Sequence, residues 1–443
     1  MRRVQDVLRG DENHPQGCGL VTTHPRDMAL QARHGLLVLQ RKQFPCGMLR
    51  NRGGHGGKMI YFDNAATMKP SEDAKFRFSI YQNYHWGNPH SINPSEIDSS
   101  DTLSIFRKLF AYFMGCEQKN IFCTSCASES NAQIIKTALA YGVKCKKNHI
   151  VTTAIEHPSI LLYMKHLESL GYEVSYAMPN KNGNVPVEHV TSLIRDDTFF
   201  VSVMLVNNET GAIQDVETIA KYCRDRNILF HTDATQGACM PEISYLKNSC
   251  IDFVSLSGHK IGAGTGAGLL YMSNNAMDHL CQRVPSTLVF GHQQSGARGG
   301  TINVPAMVAF VDEYGKYKVQ AQKRNQKMFF LEVELVRRMH KKVKFKTNCN
   351  HAKKPGLLSV CFDDFNAEAL VAFCRAHDIS ISAGSACQTG SPEPSYVLKS
   401  MGLSDDEARR TVRISLGWEN TLCEIDKFIG VLCKFDELYS KHL

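Results

Sequence analysis

The stretch that decides the fold is SLSGHK, residues 255–260, which follows the apolar residues 251–254. The apolar run predicts a short buried strand, so the lysine falls at the end of that strand. A glycine-rich tract that we expect to be flexible, residues 262–268, comes directly after it. A charged lysine at a buried strand end is costly unless its charge is neutralised, and a covalent bond to an aldehyde cofactor would do this. Lys260 is therefore a candidate for attachment of pyridoxal phosphate.

The composition is that of an ordinary globular protein, with 443 residues, of which 43% are hydrophobic and 21% charged. The apolar runs have the length of strands and fall short of the ~20 residues of a membrane helix, so we expect no membrane partner. Sixteen scattered cysteines fit reduced thiols and a cytoplasmic protein. Cys123 and Cys126 form a C-x-x-C that lacks a second pair with zinc spacing, so no metal site is expected.

The positive charge is concentrated at one end of the chain. Residues 1–58 contain ten Lys or Arg and four Asp or Glu, so they carry +6 of the formal +8, and residues 59–443 carry only +2. The nearly neutral body gives no electrostatic case for a nucleic-acid partner. For residues 1–58 we expect a disordered extension. There are two alternatives. The segment is a targeting peptide, which would place the protein in the mitochondrion or another organelle, or translation starts at Met59.

Strand-like and helix-like segments alternate between about residues 100 and 300. Helical periodicity is found in residues 130–141, 160–170 and 216–225. Apolar, β-branched runs occur at residues 121–124, 150–153, 199–205, 228–231 and 251–256. This alternation predicts an α/β fold with a mostly parallel sheet, in which ligands bind beyond the carboxyl ends of the strands.

Polar clusters follow five of the predicted strands, at residues 124–129, 156–158, 207–209, 233–236 and 257–260. Packing alone does not explain polar residues at all five ends. After about residue 302 the pattern changes to that of a smaller α+β domain. Residues 304–342 are predicted to form one long helix, or two helices with a break near Gly315. The predicted elements that follow are a strand (357–362), a helix (367–377), a loop with Cys387, a strand (411–416) and a helix (422–439). We predict a large domain at residues 59–303, whose first residues are candidates for packing against the small domain, residues 304–443.

Pyridoxal phosphate needs a lysine, a carboxylate for its pyridine nitrogen, donors for its phosphate and a group over its ring. Asp233 is the candidate carboxylate, with a helix N-cap as the alternative role. Ala127 and Ser128 begin a helical stretch, whose N-terminus is a natural phosphate site, and Ser128 also fits a plain N-cap. His157 is a candidate for stacking on the ring, with a purely structural role as the alternative.

Seven motifs occur in unbroken order: YFDNAAT (61–67), GNPHS (87–91), VNNETG (206–211), HTDATQ (231–236), SGHK (257–260), RGGT (298–301) and GSAC (384–387). With these motifs the chain resembles the cysteine desulfurases of the NifS/IscS type, within the class V aminotransferase superfamily. The similarity runs from about Met59 to the C-terminus, and nothing in residues 1–58 resembles the family.

The resemblance implies fold type I of the pyridoxal phosphate transferases, with a mostly parallel, seven-stranded sheet in the large domain and a smaller α+β C-terminal domain. It also implies a homodimer, in which Thr301 reaches the phosphate of the partner subunit's cofactor. The resemblance also implies that Lys260 attaches the cofactor and that its phosphate is contacted by Ala127, Ser128, Ser257 and His259. Asn208 and Gln236 would contact the phenolic oxygen of the cofactor, Asp233 would contact its ring nitrogen, and His157 would stack on the ring and help to move protons. Arg413 and Asn208 would bind the substrate.

Cys387 distinguishes this family from ordinary aminotransferases. Its small-residue loop, SAGSACQTGS (382–391), is typical of a mobile arm. The resemblance implies that sulfur is removed from L-cysteine to give L-alanine and a persulfide on Cys387. The sulfur would pass to an acceptor or iron–sulfur scaffold protein, for cluster assembly or tRNA thiolation, and Cys387 would transiently ligate the cluster.

Two positions depart from the family pattern: Cys126 stands where glycine is usual, and Ser128 where threonine is usual. Serine keeps the hydroxyl, whereas a cysteine adds a Cβ to a tight loop. Two other functions compete with the desulfurase. A selenocysteine lyase of the same fold would use nearly the same residues, and a non-enzymatic thiol protein would bind no cofactor.

Overall fold

The computed structural model describes residues 59–89, 94–279, 293–384 and 393–439. Residues 1–58 and Cys387, on which several predictions fall, lie outside these ranges. The strands of the described residues are β1 (Ile60–Tyr61), β2 (Ile121–Thr124), β3 (His149–Thr153), β4 (Glu173–Ala177), β5 (Thr198–Ser202), β6 (Leu229–Asp233), β7 (Phe253–Ser257), β8 (Gly268–Met272), β9 (Phe345–Thr347), β10 (Leu357–Phe362), β11 (Ile379–Ser380) and β12 (Thr411–Ser415).

Helices connect most of these strands, and none in the described ranges is both long and apolar enough to cross a membrane. They are α1 (Glu72–Tyr84), α2 (Pro94–Met114), α3 (Ala127–Cys145), α4 (Pro158–Ser169), α5 (Val187–Ser192), α6 (Val216–Arg224), α7 (Asn274–His279), α8 (Val304–Val319), α9 (Ala321–Met339), α10 (Ala367–Ala376), α11 (Tyr396–Ser400), α12 (Asp405–Arg409) and α13 (Leu422–Tyr439).

The largest sheet has the strand order β2-β8-β7-β6-β5-β3-β4. β8 runs antiparallel to β2 and β7, and the other neighbouring strands are parallel. The prediction of an α/β fold built on a mostly parallel sheet is therefore confirmed. The sheet places the carboxyl ends of β3, β5, β6 and β7 at one edge, where ligands bind in such folds.

The central strands are buried along their whole length. Every residue of β5, β6, β7 and β8 is buried, and α3 packs across this part of the sheet. A strand covered on both faces has a continuous apolar sequence, which is why β5, β6 and β7 could be predicted from the sequence. β4 is more exposed, with Glu173 at its start, and its sequence did not predict a strand.

A second, antiparallel sheet has the order β12-β10-β9, and β1 pairs in parallel with β11. Ile60 and Phe62, from the first described strand and the residue after it, belong to the hydrophobic cluster around this sheet. These residues therefore pack with elements more than 300 positions later in the sequence. The division at residue 303 into a large and a small domain stays a prediction.

The predicted break near Gly315 was wrong. α8 ends at Val319 and α9 begins at Ala321, so the two helices meet at Gln320. Gly315 lies inside α8, where a Cβ would come within 2.7 Å of the Phe113 ring. This glycine permits close packing between α8 and α2 and does not bend the helix.

Candidate active site

A cavity of about 240 Å³ lies at the carboxyl edge of the large sheet. Sequence segments more than 300 residues apart meet there. Ten of the residues predicted for the site line this cavity: Ala127, Ser128, His157, Asn208, Asp233, Gln236, Ser257, His259, Lys260 and Arg413. Thr301 is exposed and is not part of the lining formed by the described residues, and Cys387 lies outside the described ranges.

Lys260 lies in a short 3-10 turn, Gly258–Lys260, directly after β7. Its Nζ donates hydrogen bonds to the backbone oxygens of Ala65 at 2.7 Å and Ala66 at 2.8 Å. These two carbonyls satisfy part of the donor capacity of the ammonium group at the strand end. They belong to the YFDNAAT motif, which brings the first described part of the chain into the site.

Asp233 is the last residue of β6 and is almost fully buried. Its Oδ2 accepts a 2.9 Å hydrogen bond from Asn131, and its Oδ1 accepts one of 2.9 Å from the backbone N–H of Thr235. Asn131 Nδ2 also donates to Ser159 Oγ at 2.9 Å. The carboxylate is thus held in place from two sides, and the sequence predicted neither Asn131 nor Ser159.

The N-terminus of α3 faces the cavity, because Ala127 and Ser128 are its first two residues and both line the cavity. Cys126 precedes the helix with φ −167° and ψ 170°, an extended conformation that any residue adopts. A side chain is therefore accommodated where the family usually has glycine. The close approach is made by Gly268 instead, because a Cβ there would lie 2.5 Å from the carbonyl carbon of Cys126.

His157 is the N-cap of α4. Its Nδ1 accepts the backbone N–H of Ser159 at 3.2 Å and lies 2.8 Å from Ser159 Oγ. Burial lowers the pKa of His157, with Asp233 opposing this effect and Lys260 adding to it. A neutral ring that accepts at Nδ1 carries its proton on Nε2. The structural and functional roles considered for His157 are therefore compatible.

His259 is also neutral at pH 7. Burial, together with the charge of Lys260, lowers the pKa of His259 to about 4. Its Nδ1 lies 3.2 Å from Thr67 Oγ1. A neutral imidazole binds an anion as a hydrogen-bond donor and contributes no full positive charge.

Arg413 lies on β12 with its side chain buried against Asp63. Its Nη2 is 2.7 Å from Asp63 Oδ1, and its Nη1 donates to the backbone oxygen of Asn208 at 3.0 Å. The Nε is buried without a hydrogen-bond partner among the described residues. The guanidinium is thus held by two partners and keeps one unsatisfied donor, and Arg413 is a lining residue of the cavity.

Asn208 and Gln236 present side-chain amides to the cavity. Gln236 Nε2 donates to the backbone oxygen of Ala65 at 2.8 Å, the same oxygen that Lys260 contacts. Asn208 Oδ1 and Thr235 Oγ1 are buried atoms that have no hydrogen-bond partner in the described part of the protein. Buried polar atoms without partners are costly, which indicates that a polar ligand belongs here.

The residues on both sides of positions 385–392 contact the site. The backbones of Ser382 and Arg413 exchange two hydrogen bonds, of 2.7 and 3.1 Å. On the other side of these positions, Ser395 Oγ donates a 2.5 Å hydrogen bond to Glu209, the residue that follows Asn208 in the chain. Both flanks of the segment that carries Cys387 are therefore anchored beside the cavity.

Glu156, which precedes His157 in the chain, is fully buried. Its Oε1 accepts hydrogen bonds from Thr153 Oγ1 at 2.7 Å and from the backbone N–H of Met204 at 2.8 Å. Burial raises the pKa of Glu156 to about 8. Glu156 follows a predicted strand, but its sequence position alone indicates no role for it.

The comparisons with known proteins agree with this geometry. The family model described as Aminotransferase class-V matches residues 60–428. The cysteine desulfurase IscS of Rickettsia prowazekii (strain Madrid E) is 34% identical over 385 residues, which cover 86% of this chain and 92% of that protein. A cysteine desulfurase of Nostoc sp. (strain PCC 7120 / SAG 25.82 / UTEX 2576) is 32% identical over 376 residues, or 84% of this chain and 92% of that protein.

Solved structures show the same relationship. A NifS-like protein superimposes with a TM-score of 0.78 at 29% identity, covering 86% of this chain and all of that one. SspA in complex with cysteine superimposes with a TM-score of 0.70 at 30% identity, over 82% of this chain and 100% of that one. The chain belongs to the class-V aminotransferase family, whose enzymes depend on pyridoxal phosphate. The resemblance seen in the sequence is thereby confirmed.

Proposed function

We propose that the protein is a cysteine desulfurase that removes sulfur from L-cysteine and releases L-alanine, with pyridoxal phosphate as cofactor. The observation that carries the proposal is the convergence of ten predicted site residues on one cavity. The relatives named cysteine desulfurase, which align over most of the chain, support the choice of substrate. The persulfide would form on Cys387.

The cavity suits pyridoxal phosphate in its donors and acceptors. It contains a lysine amine, a buried carboxylate held by Asn131, and a helix N-terminus for the phosphate. The unpartnered Asn208 and Thr235 atoms are polar groups that such a ligand can satisfy. When bound, the cofactor supplies an electron sink for the negative charge that develops on the substrate carbon.

Each polar group of the cofactor has a candidate partner in the cavity. The proposed contacts are Lys260 with the aldehyde carbon, Asp233 with the pyridine nitrogen, Asn208 and Gln236 with the phenolic oxygen, His157 with the ring face, and Ala127, Ser128, Ser257 and His259 with the phosphate. Asp233 is held as an acceptor by two donors, so it can hold a proton on the ring nitrogen.

Arg413 binds the substrate carboxylate in this proposal. A guanidinium recognises a carboxylate through paired N–H donors, and its unpartnered Nε is one such donor. Asp63 holds the guanidinium at Nη2. Lys260 Nζ and His157 Nε2 are candidates for moving the proton of the substrate α-carbon.

Cys387 is the proposed nucleophile. Its thiolate attacks the substrate sulfur, an S–S bond forms and the substrate Cβ–S bond breaks, and the carbon fragment takes up a proton and leaves as alanine. The thiolate and L-cysteine thus become a persulfide anion and L-alanine, with atoms and charge balanced. The sulfur would go to an acceptor or iron–sulfur scaffold protein in the cytoplasm, or in an organelle if residues 1–58 are a targeting segment.

The test compares wild type with Cys387→Ser. The purified protein is supplied with pyridoxal phosphate, and its visible absorbance, alanine production and protein-bound persulfide are measured with L-cysteine. We expect Cys387→Ser to retain the absorbance of the bound cofactor and to lose the persulfide. Undiminished sulfur release by the variant would show that another thiol performs the reaction. Parallel assays with L-selenocysteine separate the desulfurase from a selenocysteine lyase, which would act on that substrate alone.

A further inference from the structure

Lys354 contacts Gln236, and none of the roles proposed so far involves it. It precedes β10, and its Nζ donates to the backbone oxygen of Gln236 at 2.8 Å. The same Nζ lies 3.5 Å from Gln236 Oε1. Together with Lys260, Lys354 lines a separate small cavity of about 20 Å³ beside the main one. A lysine amine thus touches both the backbone and the side chain of a predicted cofactor ligand.

The two ends of the Gln236 amide face different partners. Its Oε1 faces the Lys354 amine, while its Nε2 donates to the backbone oxygen of Ala65 at 2.8 Å. An ammonium group only donates hydrogen bonds, and a carbonyl oxygen only accepts them. A flipped amide would place donor against donor at Lys354 and acceptor against acceptor at Ala65. Lys354 therefore favours the orientation in which Nε2 faces the backbone oxygen of Ala65.

Lys354 also joins two segments of the site. Its backbone N–H donates to the oxygen of Gly211 at 2.9 Å, in the VNNETG motif that supplies Asn208. Through its side chain it holds the HTDATQ motif that supplies Gln236. Burial lowers the pKa of Lys354 to about 8, with Cys239 opposing the shift, so the ammonium form still predominates at pH 7.

We propose that Lys354 is a positioning residue for the reaction. It holds the Gln236 amide with its N–H donors turned toward the site, where they are available to the phenolic oxygen of pyridoxal phosphate. The proposal rests on the proposed function, because Gln236 acquires its role from the cofactor. Lys354 itself touches neither the cofactor nor the substrate in this arrangement and acts through Gln236.

The adjacent Lys353 is a matched control. Its Nζ pairs with Glu332 at 2.6 Å and donates to the oxygen of Leu357 at 3.0 Å, so it binds different partners. Lys353→Met and Lys354→Met make the same chemical change one position apart. Only the second removes a contact with Gln236.

The experiment measures the dissociation constant of pyridoxal phosphate for the apoprotein, the visible spectrum of the bound cofactor, and kcat and KM for L-cysteine. For Lys354→Met we expect weaker cofactor binding, a shifted absorbance maximum and a kcat about 10-fold lower, the size typical of one lost charged hydrogen bond. KM should change little, because Arg413 is untouched. Lys353→Met should match wild type within about 2-fold in each quantity, since neither Glu332 nor Leu357 lines the main cavity.

The decisive comparison places Lys354→Met in a Gln236→Ala background. If Lys354 acts through the Gln236 amide, Lys354→Met has a clearly smaller effect on cofactor affinity and kcat in this background than in wild type, since only its bond to the backbone oxygen of residue 236 remains to be lost. Additive effects, or a Lys354→Met variant equal to wild type, would overturn the proposal. If Lys354→Met fails to fold, Lys354→Gln replaces it with the same expectation, because an amide can also accept and no longer enforces the orientation. A wild type without alanine production from L-cysteine would instead refute the proposed function.

Discussion

Lys260 is held between two backbone carbonyls that lie almost 200 positions earlier in the chain. A cationic amine in this position is satisfied by hydrogen bonds, and it has to lose its proton before it can react with an aldehyde. The neighbouring His157 and His259 have pKa values lowered by burial and add no further full charge at pH 7. The two histidines thus leave the charge balance around Lys260 unchanged at pH 7.

Replacing Lys260 with alanine should remove covalent attachment of the cofactor. We expect the visible absorbance maximum to shift and alanine production to fall by about 10²- to 10⁴-fold, the range typical of losing a group that transfers protons in the reaction. Absorbance spectroscopy and a cysteine-dependent alanine assay provide the measurement. Lys181→Ala, at an exposed lysine, is the control. A Lys260→Ala variant with normal turnover would exclude this lysine as the attachment point.

Glu156 makes the stability of the protein depend on pH. Burial raises its pKa from 4.5 to about 8 in the folded protein, so the folded state retains a proton that the unfolded chain releases. Its stabilising effect is complete below pH 4.5 and is lost as the pH rises toward 8. Glu156→Gln keeps an oxygen acceptor for Thr153 and Met204 and does not titrate.

The free energy of unfolding, measured with urea between pH 5 and 8, should therefore decline less steeply for Glu156→Gln than for wild type. Parallel pH profiles for the two proteins would show that another group causes the dependence.

Sequence reasoning identified the residues with polar groups at strand ends and missed those that support them. Asn131 holds Asp233, but it lies inside a helical stretch where an amide resembles any surface residue. We expected the Cβ of Cys126 to be difficult to place in a tight loop, because a sequence motif does not reveal backbone angles. Its extended conformation shows that the space is provided by Gly268 on the neighbouring strand.

At the scale of elements, α13 and β2 have the predicted bounds, while β4, β8 and the helices before residue 115 were not predicted. Buried central strands carry a strong apolar signal. β8 begins in the glycine-rich tract, where composition favoured a flexible segment. Gly268 is needed because the neighbouring strand β2 comes too close for a side chain, and this contact cannot be predicted from the sequence alone.

Gly268→Ala tests the contact between β8 and the loop before α3. The added Cβ would collide with Thr124 Oγ1 and lie 2.5 Å from the carbonyl carbon of Cys126, so the loop has to shift. We expect a loss of about 1–3 kcal/mol in the free energy of unfolding, as for overpacked cores, together with weaker cofactor binding.

The matched control is Gly430→Ala in α13, where an added Cβ meets nothing within 4 Å. Alanine is a better helix former, so this change should stabilise the protein by about 0.5–1 kcal/mol. Urea unfolding measures both variants. Equal stability for the two would contradict the close approach at Gly268.

At the scale of the whole molecule, the predicted role of Thr301 requires a second subunit, because Thr301 is exposed and does not line the described cavity of its own chain. We expect a homodimer by light scattering. Mixed dimers of Thr301→Ala and Lys260→Ala chains should contain one intact cavity, with Lys260 from one chain and Thr301 from the other. Mixing should therefore restore alanine production, and a mixture no more active than its components would refute the shared site.

The pairing of β1 has a consequence for the order of folding during synthesis. Ile60 and Phe62 donate backbone hydrogen bonds to Asp378 and Ser380, and the Phe62 oxygen accepts one from Ser415. Residue 62 is synthesised long before these partners, so the first described strand has no partner strand until more than 300 further residues have been added. The large sheet can assemble in the meantime. A nascent chain arrested before residue 378 should therefore leave this N-terminal stretch open to proteases, and completion of the C-terminal part should protect it.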